Sequence, residues 1–199
     1  MTMPSNDALK EVLLARLSQK KYLHSLGVAD TAKELAEHYG YDPDKAYLTG
    51  LLHDYAKKMS AHELIEIAQK HELTEDMLEL NMMEVLHAPV GAYLVEQELK
   101  VYDPEILQAI RRHTLGATDM SLLDEIIYVA DMIEPNRSFP ELLAYRKAAF
   151  ENLALGVVMG VNSSIVSCLE KNKLIHPRSL NMRNQYIEKR GEHLCSLNR

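Results

Sequence analysis

The chain has 199 residues, with 22 Lys+Arg against 29 Asp+Glu, a formal net charge of −7 and a pI of about 5.7. That balance excludes a nucleic-acid groove or an anionic membrane surface as the main partner, because both need a clustered excess of cations. Apolar residues make up 47% and charged residues 26%, which excludes a disordered chain, and the scarcity of Phe (2) and Trp (0) favours helix over strand.

The chain opens Met-Thr-Met-Pro-Ser-Asn-Asp and meets Lys10, Glu11 and Arg16 early. This leaves no signal-peptide core, so a cytoplasmic protein is expected. A first amphipathic helix is predicted from Asp7 to Ser18, capped by Ser5 or Asn6. A second carries His24, Val28, Ala32, Leu35 and Tyr39 and stops at Gly40. Asp42-Pro43 starts a third, which runs through Leu51 and Leu52 to His53-Asp54. Ser60 with Glu63 is a capping box for a fourth, and Thr74-Glu-Asp caps a fifth, although the stretch from Leu73 to Met83 has no clear pattern.

Ala88-Pro89 is read as opening a helix to Leu99, Asp103-Pro104 one ending near His113, and Ser121 with Asp124 one that carries Asp131. From Pro140 a long helical pattern continues to Lys173, with a break expected near Gly160. His176-Pro177 precedes a last helix from Ser179 to about Leu194. The uncharged run Leu153 to Leu169 is interrupted by Gly156, Gly160 and Asn162-Ser163-Ser164, so a buried helix is expected there rather than a membrane span. The two cysteines, Cys168 and Cys195, are too few for a disulfide scaffold and match no zinc spacing. With no period-2 strand pattern, repeat or linker, the chain reads as one all-α domain.

Of the 9 histidines, His38, His62, His71, His176 and His193 sit in polar contexts and are expected on the surface. His24, His53, His87 and His113 each lie in or at the end of an apolar helical stretch. One such residue is ordinarily a hydrogen-bonded core histidine; four on different helices point to a common site. Asp54 follows His53 directly, and Asp131 sits in Ile126-Ile-Tyr-Val-Ala-Asp-Met-Ile. A buried carboxylate must be protonated, paired or metal-bound. The bland alternative for Asp131 is an ion pair with Arg111 or Arg112. Converging His and Asp from separate helices is how bundles build metal sites, and this donor mix suits iron, manganese, zinc or nickel better than calcium or magnesium.

The set His24, His53-Asp54 and Asp131 resembles the H…HD…D signature of the HD-domain metal-dependent phosphohydrolases. More specifically, Tyr22-Leu-His-Ser-Leu-Gly-Val, Gly50-Leu-Leu-His-Asp-Tyr-Ala-Lys-Lys, Arg112-His-Thr-Leu-Gly and Tyr128-Val-Ala-Asp-Met-Ile-Glu-Pro-Asn-Arg resemble the bacterial YqeK-type family, over roughly residues 10 to 190. Those are symmetrical bis(5′-nucleosyl)-tetraphosphatases, which split diadenosine tetraphosphate into two ADP. The resemblance implies one HD-domain helical bundle over residues 1–199, with core motifs at 22–137 and helices from 140–195 packing on them.

It also implies His24, His53, Asp54 and Asp131 as metal ligands. Iron is the first expectation, with manganese, nickel or zinc as alternatives, and one ion is favoured over two. A metal-bound hydroxide is the expected nucleophile. Asp54, Asp131, His87 and His113 are the expected catalytic residues, and His24, Lys57, His87, His113, Asn136 and Arg137 the expected substrate contacts. His87 and His113 could instead bind a second ion, and Lys57 could be a solvated lysine beside Lys58. Arg111 and Arg112 are weaker phosphate contacts. The expected partner is a small nucleotide, not nucleic acid or membrane, and a homodimer is open to the chain. Competing readings are an HD hydrolase of another nucleotide (a guanosine alarmone, a nucleoside monophosphate or a cyclic dinucleotide) and a non-enzymatic nucleotide-binding helical protein. Tyr55-Ala-Lys-Lys supplies no further acid within one turn of Asp54, and no Gly-Tyr-Pro occurs; both count against other HD enzymes.

Overall fold

The computed structural model describes residues 5–197, with side chains through Lys189; His193 and Cys195 therefore lie outside the described side chains. Ten α-helices and one 3₁₀ turn account for the regular structure, with no strand among the described residues.

Most helix starts carry the caps read from sequence. The Ser5 hydroxyl accepts from Ala8 N ahead of α1 (Asn6–Arg16). Ser18, expected as the end of that first helix, lies beyond it and caps α2 (Gln19–Tyr39) by accepting from Lys21 N; α2 ends at a left-handed Gly40. Asp42, with Pro43 in the first turn, starts α3 (Pro43–Leu52), and a complete Ser60/Glu63 capping box starts α4 (Ala61–Lys70). Asp103 caps α6 (Pro104–Arg112), and a Ser121/Asp124 box caps α7 (Leu122–Ile133). Each cap satisfies backbone N–H groups that have no partner within the helix.

Three expectations fail where the side chains do something else. Thr74 starts no α-helix; Asp76 accepts from Leu78 N and Glu79 N, and only a 3₁₀ turn, Glu79–Asn81, follows. Pro89 lies inside α5 (Met83–Leu99) instead of opening it. Met82 makes no capping hydrogen bond, so nothing polar marks the true start, and burial of Leu86, Val90 and Val95 offsets the roughly 3 kcal/mol cost of an interior proline. The long pattern after Pro140 breaks at Asn152, which closes α8 (Leu142–Glu151) and caps α9 (Leu153–Glu170) by accepting from Leu155 N. Gly160 stays helical because α9 needs a bare surface there: a Cβ would lie 3.2 Å from the Tyr128 ring.

The tightest helix crossing sets the site. A Cβ on Gly50 would come within 2.9 Å of Ala29 Cα, so α2 and α3 pack backbone to backbone. His24 and His53 are thereby left with ring centroids 5.2 Å apart. α5, α6 and α7 close around this pair, and α9 covers the outer side of α7. The expectation of a buried α9 holds for its first half, where Leu153, Val157, Val158 and Val161 are buried, while Val166 and Leu169 are exposed. By length and composition α9 could cross a membrane; a third of it is buried in the protein.

α10 (Pro177–Leu197) is pinned at its start. His176 is buried, not solvated as its polar context suggests, and lies 3.1 Å from Asp76 Oδ2. Arg178 bridges Glu75 and Glu79. His38, His62 and His71 are exposed as expected.

Candidate metal centre and active site

Five helices deliver the histidines and aspartates to one place. His24 comes from α2, His53 from the C-cap of α3, His87 from α5, His113 from the C-cap of α6 and Asp131 from the last turn of α7. Asp54 and Lys57 lie in tight turns after α3, where Tyr55, Lys57 and Met59 N–H groups each bond the carbonyl three residues back.

The donor atoms crowd together. His24 Nε2 lies 3.0 Å from Asp131 Oδ1 and 3.9 Å from Asp54 Oδ2, which is 3.7 Å from His53 Nε2. On its other oxygen, Asp54 faces His87 Nε2 at 3.0 Å and His113 Nε2 at 3.6 Å. His24, His53 and Asp131 form one triad with ligand atoms all within 4.8 Å, and His53, Asp54 and His113 form another.

Hydrogen bonds on the far side of each ring fix which nitrogen is bare. His53 Nδ1 donates to Gly50 O at 2.7 Å, His113 Nδ1 to Ile110 O at 2.7 Å and His24 Nδ1 to Glu134 Oε1 at 3.0 Å. In the neutral ring each Nε2 then presents a lone pair to the cluster, as in histidines that ligate metals. His53 Nε2 and Asp54 Oδ1 are fully buried and have no hydrogen-bond partner. Asp54 Oδ1 is close to His87 Nε2 but not aligned with it. Buried acceptors facing acceptors lack a cation, so the residues present fit a transition-metal ion.

Charge coupling agrees with this. Burial pushes His53 down to about 4 and does the same to His87, so both rings are neutral at neutral pH. Burial alone would raise Asp54, but His53, His113 and His87 hold its carboxyl well below the usual carboxylate range. Asp131 is likewise held low against its burial by His24 and Arg137. For His24, burial is outweighed by Asp131 and Glu134, which push it up to about 9. In the absence of a metal a proton takes the place of a cation between them.

The ion pair expected for Asp131 is different. Arg112 binds Asp119 and Asp124, and Arg111 bonds Leu73 O; Asp131 is held by His24 and by Arg137, which also donates to its backbone carbonyl at 2.9 Å. Asp131 keeps a quarter of its side chain exposed, on a cavity of about 940 Å³ that it shares with Lys20, Lys21, Lys57 and Arg137. Lys57 Nζ lies 3.4 Å from Asp54 Oδ1 and 2.9 Å from His87 Nε2, so it faces the cluster. Asn136 lines the cavity, but its amide donates to Glu134 Oε2 and Leu23 O.

Glu134 was not read from sequence as a site residue. It is 1% exposed and fixes the His24 ring, while its second oxygen accepts from Asn136 N at 2.7 Å. Gly27 makes room for it, since a Cβ there would lie 2.3 Å from Glu134 Oε2. Glu134 is the C-cap of α7, with extended backbone, so helical spacing from Asp131 does not mark it in the sequence.

A family model described as HD domain matches residues 22–136, which include every candidate ligand. The chain belongs to the HD domain family. It is 42% identical to the symmetrical bis(5′-nucleosyl)-tetraphosphatase of Bacillus subtilis (strain 168) over 162 residues, covering 81% of this chain and 87% of that one. The protein of that name from Staphylococcus aureus (strain NCTC 8325 / PS 47) is 34% identical, with 89% and 92% covered. A crystal structure of a predicted HD superfamily hydrolase involved in NAD metabolism from Clostridium acetobutylicum superposes with a TM-score of 0.90 at 37% identity. It covers 94% of this chain and 100% of that one. The HD fold here is therefore all-helical, and its His/Asp cluster is suited to a divalent metal.

Proposed function

We propose that this HD protein is a metal-dependent phosphoanhydride hydrolase that cleaves diadenosine tetraphosphate symmetrically into two ADP. The observation that carries the reading is the set of bare Nε2 atoms around Asp54 and Asp131, opening on a cationic cavity. The names of its relatives supply the substrate.

A transition ion held by His24, His53, Asp54 and Asp131 would acidify a water and draw charge from the phosphoryl oxygens. Iron is our choice for that ion, with manganese, nickel or zinc as substitutes, on the mixed imidazole and carboxylate donors. We favour one ion, because the His87 and His113 Nε2 atoms, 3.1 Å apart, are already engaged with each other. Two bare lone pairs at that distance repel, so one of these atoms carries a proton. Lys57 and Arg137 bind phosphate oxygens, and Arg137 Nη1 has no protein partner among the described residues.

Water forms a bond to one inner phosphorus, and the central P–O bond breaks. The bridging oxygen leaves with the second ADP and is stabilised by N–H donors. In our reading His87 and Lys57 supply those donors. His87 is neutral in the free protein, and the negative charge of an arriving polyphosphate raises its proton affinity, which suits it to protonate the departing oxygen. The cations offset the field of an acidic protein only locally, where the substrate sits.

We also read the described chain as one domain, on the packing of α9 against α7 and of α10 against α9. A free nucleotide substrate places the reaction in the cytoplasm.

Chromatography of products from a nucleotide panel tests the function. Diadenosine tetraphosphate should yield ADP alone. ATP plus AMP would refute symmetrical cleavage, and turnover only of a guanosine alarmone or a monophosphate would refute the substrate.

A further inference from the structure

We infer that a second cavity, between α9, the start of α5 and the Arg137 turn, holds the nucleoside of one of the two ADP halves. This rests on the dinucleotide reading above and extends it. Central cleavage places a nucleoside and two phosphates on each side of the bridging oxygen that is cut, so the protein must accommodate two nucleosides, not one. The cavity that contains the metal ligands takes one side. The second cavity, of about 660 Å³, shares Arg137 and Phe139 with it. It runs along the first turn of α5, where Glu84 and Val85 line it. A chain leaving the reacting phosphorus past Arg137 therefore enters this space.

Its lining matches a purine nucleoside. Phe139, Met132, Val85 and Leu174 offer apolar surface for the faces of a base. Ser163 and Ser167 lie one helical turn apart on α9 and offer hydroxyls to a base edge or ribose. Lys171 and Lys173 stand at the same cavity, bonded to Ser167 and Glu84 respectively, where they add positive charge for the phosphates. No residue of this lining belongs to the metal cluster, and of the phosphate-binding set only Arg137 does.

The test fills the cavity and reads substrate preference. Ser167→Trp should lower the ratio of kcat/KM for diadenosine tetraphosphate over adenosine 5′-tetraphosphate about tenfold or more, the scale of a lost base-stacking contact. The shorter substrate can place its single nucleoside in the unaltered cavity. An unchanged ratio overturns the proposal.

A second measurement needs no bulky substitution. Cys168 lines this cavity, and in a Cys195→Ser background it is the single thiol of the chain. In metal-free protein, where nothing is hydrolysed, diadenosine tetraphosphate should slow its modification by a maleimide about fivefold or more under saturating ligand, while inorganic tripolyphosphate should not. Equal rates with and without the dinucleotide overturn the proposal. Wild-type protein that leaves the dinucleotide intact refutes the function above, and the thiol protection then decides the cavity independently.

Discussion

Among the described residues, triads of histidine and carboxylate with ligand atoms within 4.8 Å of one another gather in two places, and the two places are opposites. Around Asp54 and Asp131, the Nδ1 atoms of His24, His53 and His113 donate outward and leave Nε2 bare. Around Asp76 and Glu79, His176 Nδ1 accepts from Arg178 N, so Nε2 carries the proton and donates to Asp76. Arg178 then occupies the remaining acid, Glu79. The first cluster lacks a cation, whereas the second contains one and joins α10 to the loop before α5. Proximity of His, Asp and Glu therefore does not define a metal site. The partner of the other ring nitrogen does.

Substitutions should widen this contrast in a graded way. Asp54→Ala removes a carboxylate that faces every histidine of the first cluster, and should abolish turnover and metal retention together, beyond the roughly 10²-fold upper cost of losing a ligand's hydrogen-bond partner. Full metal content by elemental analysis would remove Asp54 from the site. His87→Ala should keep one ion and lose about 10²–10⁴-fold in turnover, the range for a proton-transfer group, with partial rescue on a nucleotide ester bearing an activated aryl leaving group. Loss of the ion would instead make His87 a ligand.

Glu134→Ala should weaken metal affinity by about 10–100-fold, with recovery in Glu134→Gln, whose amide oxygen can still accept from His24 Nδ1. Equal affinity in wild type and Glu134→Ala would separate ring orientation from metal binding. Lys57→Ala should raise KM several-fold, leaving metal content intact and stability within about 0.5 kcal/mol. An unchanged KM would return Lys57 to a solvated lysine.

That these histidines and aspartates converge was legible in sequence, because histidines in apolar helical runs are rare enough to stand out and the His53-Asp54 pair anchored them. Helix starts were legible wherever Ser, Asp or a capping box marked them. What escaped lacked such a mark. Met82 caps nothing by side chain, so α5 was placed at Pro89, and Asn152 sat inside a continuous helical pattern whose glycines drew the break to Gly160. Glu134 escaped because its role is read only from the ring it faces across 110 residues of chain. His176 was assigned to the surface by its polar neighbours, which are the groups that bury it.

The most direct test titrates Mn²⁺ into metal-free wild type, His53→Ala and His176→Ala by calorimetry. The account predicts a tight site in wild type, its loss in His53→Ala and its full retention in His176→Ala. Loss in His176→Ala with retention in His53→Ala would place the metal at the wrong cluster and contradict the tautomer argument.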